Sequence, residues 1–269
     1  MKKVIIILTI IISFLIINGY FINTNTIKVR NTNISISNLP SSFKGFQIMQ
    51  ISDLLISSKE DINKIKKITT LTNNEQVDII VFTGDIFANN YTPTSEDITS
   101  VTEIFKSLNC NLYKYAVIGD NDQKDLNTFT NILTEANFQI LDNKSIYLFN
   151  KDKLPIKISG ITTLDNLDNT LTLEENYETA LNLCLTHYPD YADLLSEENT
   201  DIILSGHSLG GQIKLPFYGG ILKQENAQKY LNNEYTINNT KLFVSNGIGT
   251  HKIKFRLFNP PEINLYTLY

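Results

Sequence analysis

The chain opens with an almost unbroken apolar run from Val4 to Ile17, which resumes after Asn18-Gly19 at Tyr20-Phe21-Ile22. The nineteen residues from Val4 to Ile22 would span about 28 Å as a helix, close to the thickness of a bilayer core. Lys2 and Lys3 precede the run, and basic residues there keep a short N-terminus inside and send the remainder outside. A cleaved signal peptide opens the same way, but no small-x-small cleavage site follows and no cysteine stands nearby for a lipid. The pattern therefore predicts a signal anchor and stalk over residues 1–26. Residues 27–269 form the domain, displayed beyond the cell membrane, with a cleaved and secreted form as the alternative.

Past a polar stalk, apolar strands alternate with helical patterns. Phe46–Ile51, Val77–Phe82, Leu112–Ile118, Leu183–Thr186 and Asp201–Leu204 read as strands. Helical spacing covers Ser58 to about Asn73, Ser95 to Leu108, and about Lys124 to Asn137; two or three shorter strands fall between Phe138 and Ile161. The tail, Lys241–Val244 and Phe255–Leu268, is strand-like and broken by Pro260-Pro261. Alternation of this kind implies an α/β fold, in which sites form at the carboxyl ends of strands. Five times an apolar strand ends on a polar residue flanked by Gly, Ser, Thr or Pro: Asp53, Asp85, Asp120, His187 and His207. One such aspartate is usually a turn former or helix cap. Three carboxylates and two imidazoles together suit a divalent metal better.

Composition narrows this reading only a little. With 42% hydrophobic and 19% charged residues the chain is an ordinary globular one, and its net charge of -5 offers nothing to nucleic acid. Of the two cysteines, Cys184 lies inside the apolar run Leu181–Leu185, where a buried free thiol is expected rather than a disulfide to Cys110.

The turn Gly206-His207-Ser208-Leu209-Gly210 supports two chemistries. It fits the G-x-S-x-G nucleophile elbow, with Ser208 attacking and Glu225 or Glu234 and then His251 completing a triad. Against this, Gln212–Pro216 and Gly219-Gly220 read as strand and turn where an elbow needs a helix, and no oxyanion segment precedes it.

The second chemistry is a resemblance. Ser52-Asp53-Leu54-Leu55, Thr83-Gly84-Asp85, Gly119-Asp120-Asn121-Asp122, Thr186-His187-Tyr188-Pro189-Asp190 and Gly206-His207-Ser208-Leu209-Gly210-Gly211-Gln212 resemble, in order, the five motif blocks of calcineurin-like metallophosphoesterases. The tail from Phe243 to Ile263 looks like that of their exported or membrane-anchored bacterial branch. The resemblance implies a four-layer αββα sandwich, a two-metal centre and phosphoester hydrolysis. It makes Asp53, Asp85, His187 and His207 metal ligands, with Asp85 bridging. Leu55 and Leu209 stand where the family has histidine ligands, Asp120 where it has Asn, and Asn121 where it has the catalytic His. The resemblance thus implies one reduced half-site, held by Asp53 and Asp85, and one complete set, Asp85, Asp120, His187 and His207, for a single Mn, Zn or Fe ion. Catalytic work falls to Asp53, Asp85 and Asn121. The substrate would be a small-molecule or lipid-linked phosphoester, and a catalytically silent binding protein is the alternative.

Overall fold

Strands without a polar face must bury both faces, and the order of elements shows how this chain does so. The computed structural model describes residues 1–151, 153–165, 167–171, 173 and 177–269, and of 168 and 169 the backbone alone. In chain order come helix α1 (Lys2–Ile17), β1 (Lys28–Ile34), β2 (Gln47–Ile51), α2 (Lys59–Asn73), β3 (Ile79–Phe82), α3 (Ser95–Lys106) and β4 (Tyr113–Ala116). Next are α4 (Leu126–Glu135), β5 (Phe138–Ile140), β6 (Lys144–Leu148), β7 (Ile156–Ile161), the short α5 (Leu167–Leu171), β8 (Leu181–Thr186), α6 (Ala192–Leu195) and β9 (Ile202–Ser205). A small hairpin of β10 (Lys214–Leu215) and β11 (Gly219–Gly220) precedes β12 (Glu234–Ile237), β13 (Thr240–Val244) and β14 (Glu262–Leu268).

Two mixed six-stranded sheets result, ordered β1-β14-β2-β3-β4-β5 and β12-β13-β9-β8-β7-β6. Strand alternation divides the core into layers. Ile48, Ile79 and Val81 point from the first sheet to meet Leu183, Leu185, Ile202, Leu204 and Phe243 of the second. Met49, Ile51, Ile80 and Phe82 point the other way, onto Ile65 and Ile68 of α2, Phe105 of α3 and Ile132 of α4. Cys184, Ile203, Leu242 and Val244 cover the outer face of the second sheet against Ala192, Leu195 and Tyr230. This is the αββα sandwich expected from the motif order. The helices start where side chains cap them: Ser58 accepts from Asp61 N–H, and Thr94 forms a capping box with Asp97. Both cysteines are free thiols, Cys184 buried and Cys110 partly so.

Two stretches differ from the sequence reading. The polar stretch ahead of Phe46 contains a strand: β1 runs parallel to β14, Lys28 opposite Glu262 through Ile34 opposite Leu268. Its Asn-rich sequence has no clean alternation, because an edge strand half in solvent needs none. Of the tail, Lys241–Val244 lies in β13 as expected, but the second stretch is strand only from Glu262. Before it the backbone loops around Arg256, and Pro260-Pro261 can donate nothing to a ladder.

Parallel β2, β3 and β4 of one sheet and β8 and β9 of the other deliver their carboxyl ends to one place. Gln50 stitches those ends together. Its Nε2 donates to Thr83 Oγ1 at 3.0 Å and to the Ser205 carbonyl at 2.9 Å, while its Oε1 accepts from Tyr266 Oη at 2.8 Å. Gln50→Leu keeps the volume but leaves buried groups unpaired, so urea unfolding should show a loss of about 2–4 kcal/mol. A loss below about 1 kcal/mol would mean that apolar packing alone aligns the sheets.

Candidate metal centre

Three of the five strands, β3, β4 and β9, enter the site through a turn that a larger residue would block. A Cβ on Gly119 would lie 2.2 Å from Asp85 Oδ1, and one on Gly84 would lie 2.8 Å from His187 Nδ1. A Cβ on Gly206 would meet Ser52 Oγ at 2.1 Å and Asp53 Oδ2 at 2.6 Å. The glycines therefore let five polar residues approach across two sheets. Several site residues sit in the left-handed backbone region: Asp53 (φ 50°), Leu55 (φ 45°), Asp85 (φ 67°), His207 (φ 63°) and Leu209 (φ 50°). Each costs free energy that the surrounding hydrogen bonds must offset.

Asp85, Asp120, His187 and His207 offer ligand atoms that all lie within 4.8 Å of one another. Three of the four are buried; Asp120 is exposed, which leaves the group open on one side. The imidazoles are locked by their outer nitrogens. His187 Nδ1 donates to the Thr83 carbonyl at 2.6 Å and His207 Nε2 to the Glu225 carbonyl at 2.8 Å. In neutral rings this places both lone pairs inward, with His187 Nε2 and His207 Nδ1 only 3.1 Å apart. Asp120 Oδ1 is 3.1 Å from the first and 3.2 Å from the second. Acceptors packed so closely repel one another unless a proton or a metal ion stands among them.

The ionisation of the group reflects the same crowding. Burial would lower the His187 pKa, but Asp85, the Asp120 hydrogen bond and Asp53 outweigh it and push it up to about 10. Burial alone would raise Asp120, yet hydrogen bonds from His187 and His207 hold it well below the usual carboxylate range. Asp85 is raised well above that range by burial, against the attraction of His187 and with the repulsion of Asp122 and Asp120 added.

Asp53 and Asn121 hold different places from the four. Asp53 stands beside the group, its carboxylate taking the His207 backbone N–H at 3.0 and 3.1 Å and the Ser52 hydroxyl. Asn121 donates its side-chain amide to Asp85 Oδ2 and its backbone N–H to Oδ1 at 3.0 Å, so it orients that carboxylate. Leu209 packs beside Asp53: a Cβ on Gly247 would touch Leu209 Cδ2 at 2.8 Å and Asp53 Cβ at 2.7 Å. Leu55 packs on Gly249 and lines a cleft of about 460 Å³ with Ser57, Asn89, His251, Ile253 and Lys254.

Ser208 lacks the partner a nucleophile requires. Its hydroxyl accepts from Gly210 N–H, the turn continues as one 3-10 turn into a strand, and no hydrogen bond joins it to His251 among the described residues. His251, half-buried, gives its backbone N–H to Gln212 at 2.6 Å.

Three supporting residues carried no role in the sequence reading. Asp122 accepts backbone N–H groups of Asp85 (2.7 Å), Ile86 (2.9 Å) and Gly119 (3.0 Å), fixing the two turns that carry ligands. Gln224 Nε2 donates to the His207 carbonyl. Arg256, one of two arginines, is fully buried and donates to the carbonyls of Asn246, Gly247, Gly249 and Asn259. Those carbonyls belong largely to the loop whose Ile248 and Gly249 N–H groups bond Asp53 O at 3.1 and 2.7 Å. A lone arginine between Phe255 and Leu257 was the available signal, since such a charge is either solvated or fully satisfied.

An αββα sandwich with aspartates and histidines gathered at its central strand ends defines a class, the metallophosphoesterases. More narrowly, the chain belongs to the calcineurin-like phosphoesterase family, whose profile matches residues 46–211. It is 29% identical over 256 residues to the uncharacterised metallophosphoesterase YkuE of Bacillus subtilis, covering 93% of this chain and 89% of that one. It is 24% identical over 287 residues to the UDP-2,3-diacylglucosamine pyrophosphatase LpxG of Chlamydia muridarum, covering 84% and 85%. A transmembrane protein with a metallophosphoesterase domain from Danio rerio is 24% identical over 263 residues, which is 88% of this chain and 56% of that one. The family uses divalent metals, and this chain has a group able to hold one.

The crowded acceptors set a pH dependence for the metal-free protein. Because the His187 pKa is raised from about 6.5 to about 10, its contribution is complete below the lower value and is lost as pH rises through the upper. Asp85, also raised, acts in the same direction. Chelator-treated protein should therefore melt at a lower temperature at pH 10 than at pH 6.5, and saturating Mn2+ should remove most of the difference. An equal fall with Mn2+ present would place its cause elsewhere.

Proposed function

We propose that this chain is a metal-dependent phosphoester hydrolase that works at the outer face of a membrane with a single divalent ion. The observation that carries this reading is the pair of locked imidazoles, whose inward nitrogens face each other across 3.1 Å beside Asp85 and Asp120. Two imidazoles and two carboxylates suit Mn, Zn or Fe. An ion there supplies Lewis-acid polarisation of a phosphoryl oxygen and a lowered pKa for a bound water.

The chain's own residues then divide the work. Asp85 and Asp120 neutralise positive charge, and Asn121 keeps Asp85 in orientation. Asp53, with Leu55 and Leu209 beside it in sequence or space, retains too few donors for a second ion. Asn121 cannot give a proton to a leaving group, so substrates whose leaving group departs as a stable anion are favoured. His251 and Lys252 line the cleft that runs past Leu55 and supply hydrogen-bonding and positive groups for a phosphate, while Lys254 on the same rim is paired with Asp61 at 3.1 Å. The 22-residue apolar helix Lys2–Asn23 supports a membrane anchor, N-terminus inside and the domain of residues 27–269 outside. Likeness to LpxG, named for a diacylglucosamine substrate, supports a lipid-linked phosphoester, with a small-molecule ester as the alternative.

Metal analysis of the purified full chain should give about one equivalent of Mn or Zn, lost in His207→Ala. Hydrolysis of bis(p-nitrophenyl) phosphate should fall at least about 100-fold in His207→Ala and no more than about threefold in Ser208→Ala. One bound ion without hydrolysis would favour the silent binding protein; no bound ion would remove the reading. The double variant Leu55→His with Leu209→His restores imidazoles to two left-handed turns that need no rebuilding. It should raise bound metal from about one to about two equivalents. An unchanged content would mean that more than these two side chains separates the site from a two-metal one.

A further inference from the structure

The end of the apolar helix is fastened to the loop that follows the metal-site turns. Gly19 is buried against Phe255, where a Cβ would come within 2.2 Å of the ring, and Tyr20 meets the same ring edge-on at 4.9 Å. Arg256 N–H donates to the Gly19 carbonyl at 3.2 Å and to Thr24 Oγ1 at 3.1 Å. Length then fixes the height of this contact. With Val4–Ile22 filling a bilayer core of about 30 Å, Gly19 lies only about 4.5 Å inside its edge. The loop around Phe255 must therefore reach the headgroup layer.

What that loop presents is apolar side chains set among two exposed lysines, Lys252 and Lys254. Ile253 and Phe258 are exposed on it, and it is joined to the β10–β11 hairpin, whose tip residues Phe217 and Tyr218 are the most exposed aromatics outside the N-terminal helix among the described residues. The joints are direct: Lys214 N–H donates to the Leu257 carbonyl at 2.9 Å, and Gln212 Nε2 donates to the carbonyls of Ile253 and Phe255 at 3.0 Å. Exposed aromatics gathered on one face are costly in water and favourable at a membrane interface.

We propose that Phe217, Tyr218, Ile253 and Phe258 form a face that sits in the headgroup layer of the same bilayer that the helix crosses. This rests on the anchored reading above and refines its substrate class. Ile253 borders both this face and the cleft with Leu55, His251 and Lys254. The cleft thus opens at headgroup height and suits a phosphoester carried by a lipid of that leaflet.

The chain contains no tryptophan, so each introduced one is a sole reporter. Full-length Phe217→Trp and Phe258→Trp, in nanodiscs of phosphatidylcholine and phosphatidylglycerol, are compared with and without brominated acyl chains. Phe14→Trp reports helix insertion; Tyr113→Trp, at the opposite ends of the strands, reports water. The expected result is at least about twofold quenching of Phe217→Trp and Phe258→Trp, strong quenching of Phe14→Trp, and little for Tyr113→Trp. Quenching of Phe14→Trp alone, with circular dichroism unchanged, overturns the proposal. An unquenched Phe14→Trp overturns it together with the anchor. Metal content of the same samples reports separately on the hydrolase reading.

Discussion

Three hydrogen-bond acceptors, His187 Nε2, His207 Nδ1 and Asp120 Oδ1, meet within 3.2 Å of one another, and much of the surrounding structure serves that meeting. Lone pairs so close are unfavourable unless positive charge lies between them. Tautomer locks from the Thr83 and Glu225 carbonyls prevent either ring from turning away. Glycines at 84, 119 and 206 remove the Cβ atoms that would keep the strand ends apart. Gln50, reaching from one sheet to the other, sets the registry of those ends. The sandwich is therefore a frame whose two sheets are aligned where charge is concentrated, with the apolar layers supplying the free energy to hold it there.

The surroundings of Asp53 are as informative as the four-residue group beside it. Leu55 and Leu209 occupy left-handed turns that suit Asn, Asp or His better than leucine. Hydrogen bonds hold the backbone there: the Asp53 carboxylate takes His207 N–H, and Asp53 O takes two N–H groups from the 246–249 loop. Buried Arg256 gathers the carbonyls of that same loop, and its charge attracts Asp53 at longer range. A side chain expected to hold metal thus also has a structural task.

Much of this was legible in the sequence because strand-end aspartates and histidines leave a local trace: an apolar run, a glycine, then a polar residue. The α/β alternation followed from such traces, and so did Asp85, Asp120, His187 and His207, which the structure brings within 4.8 Å of one another. β1 was not legible, since its Asn-rich edge strand acquires meaning only through pairing with β14 at the far end of the chain. Nor were the roles of Asp122 and Arg256. Both act on backbone groups brought together by tertiary structure, and no spacing in the sequence announces a carboxylate that collects three N–H groups or a guanidinium that collects carbonyls. Phe217 and Tyr218 leave no such trace either, because only the folded chain joins their hairpin to the loop that holds Gly19.

The short link between that helix and β1 has a kinetic meaning. Only four residues separate Asn23 from Lys28, and Gly19 and Thr24 are already bonded to the domain. A domain on a long stalk tumbles, and its site faces a membrane-borne target only part of the time. One mounted through so few bonds has little freedom to rotate about the bilayer normal's perpendicular axes. With the helix in a bilayer as proposed above, the search for a target in that bilayer would become lateral diffusion in two dimensions, with orientation settled before the first encounter.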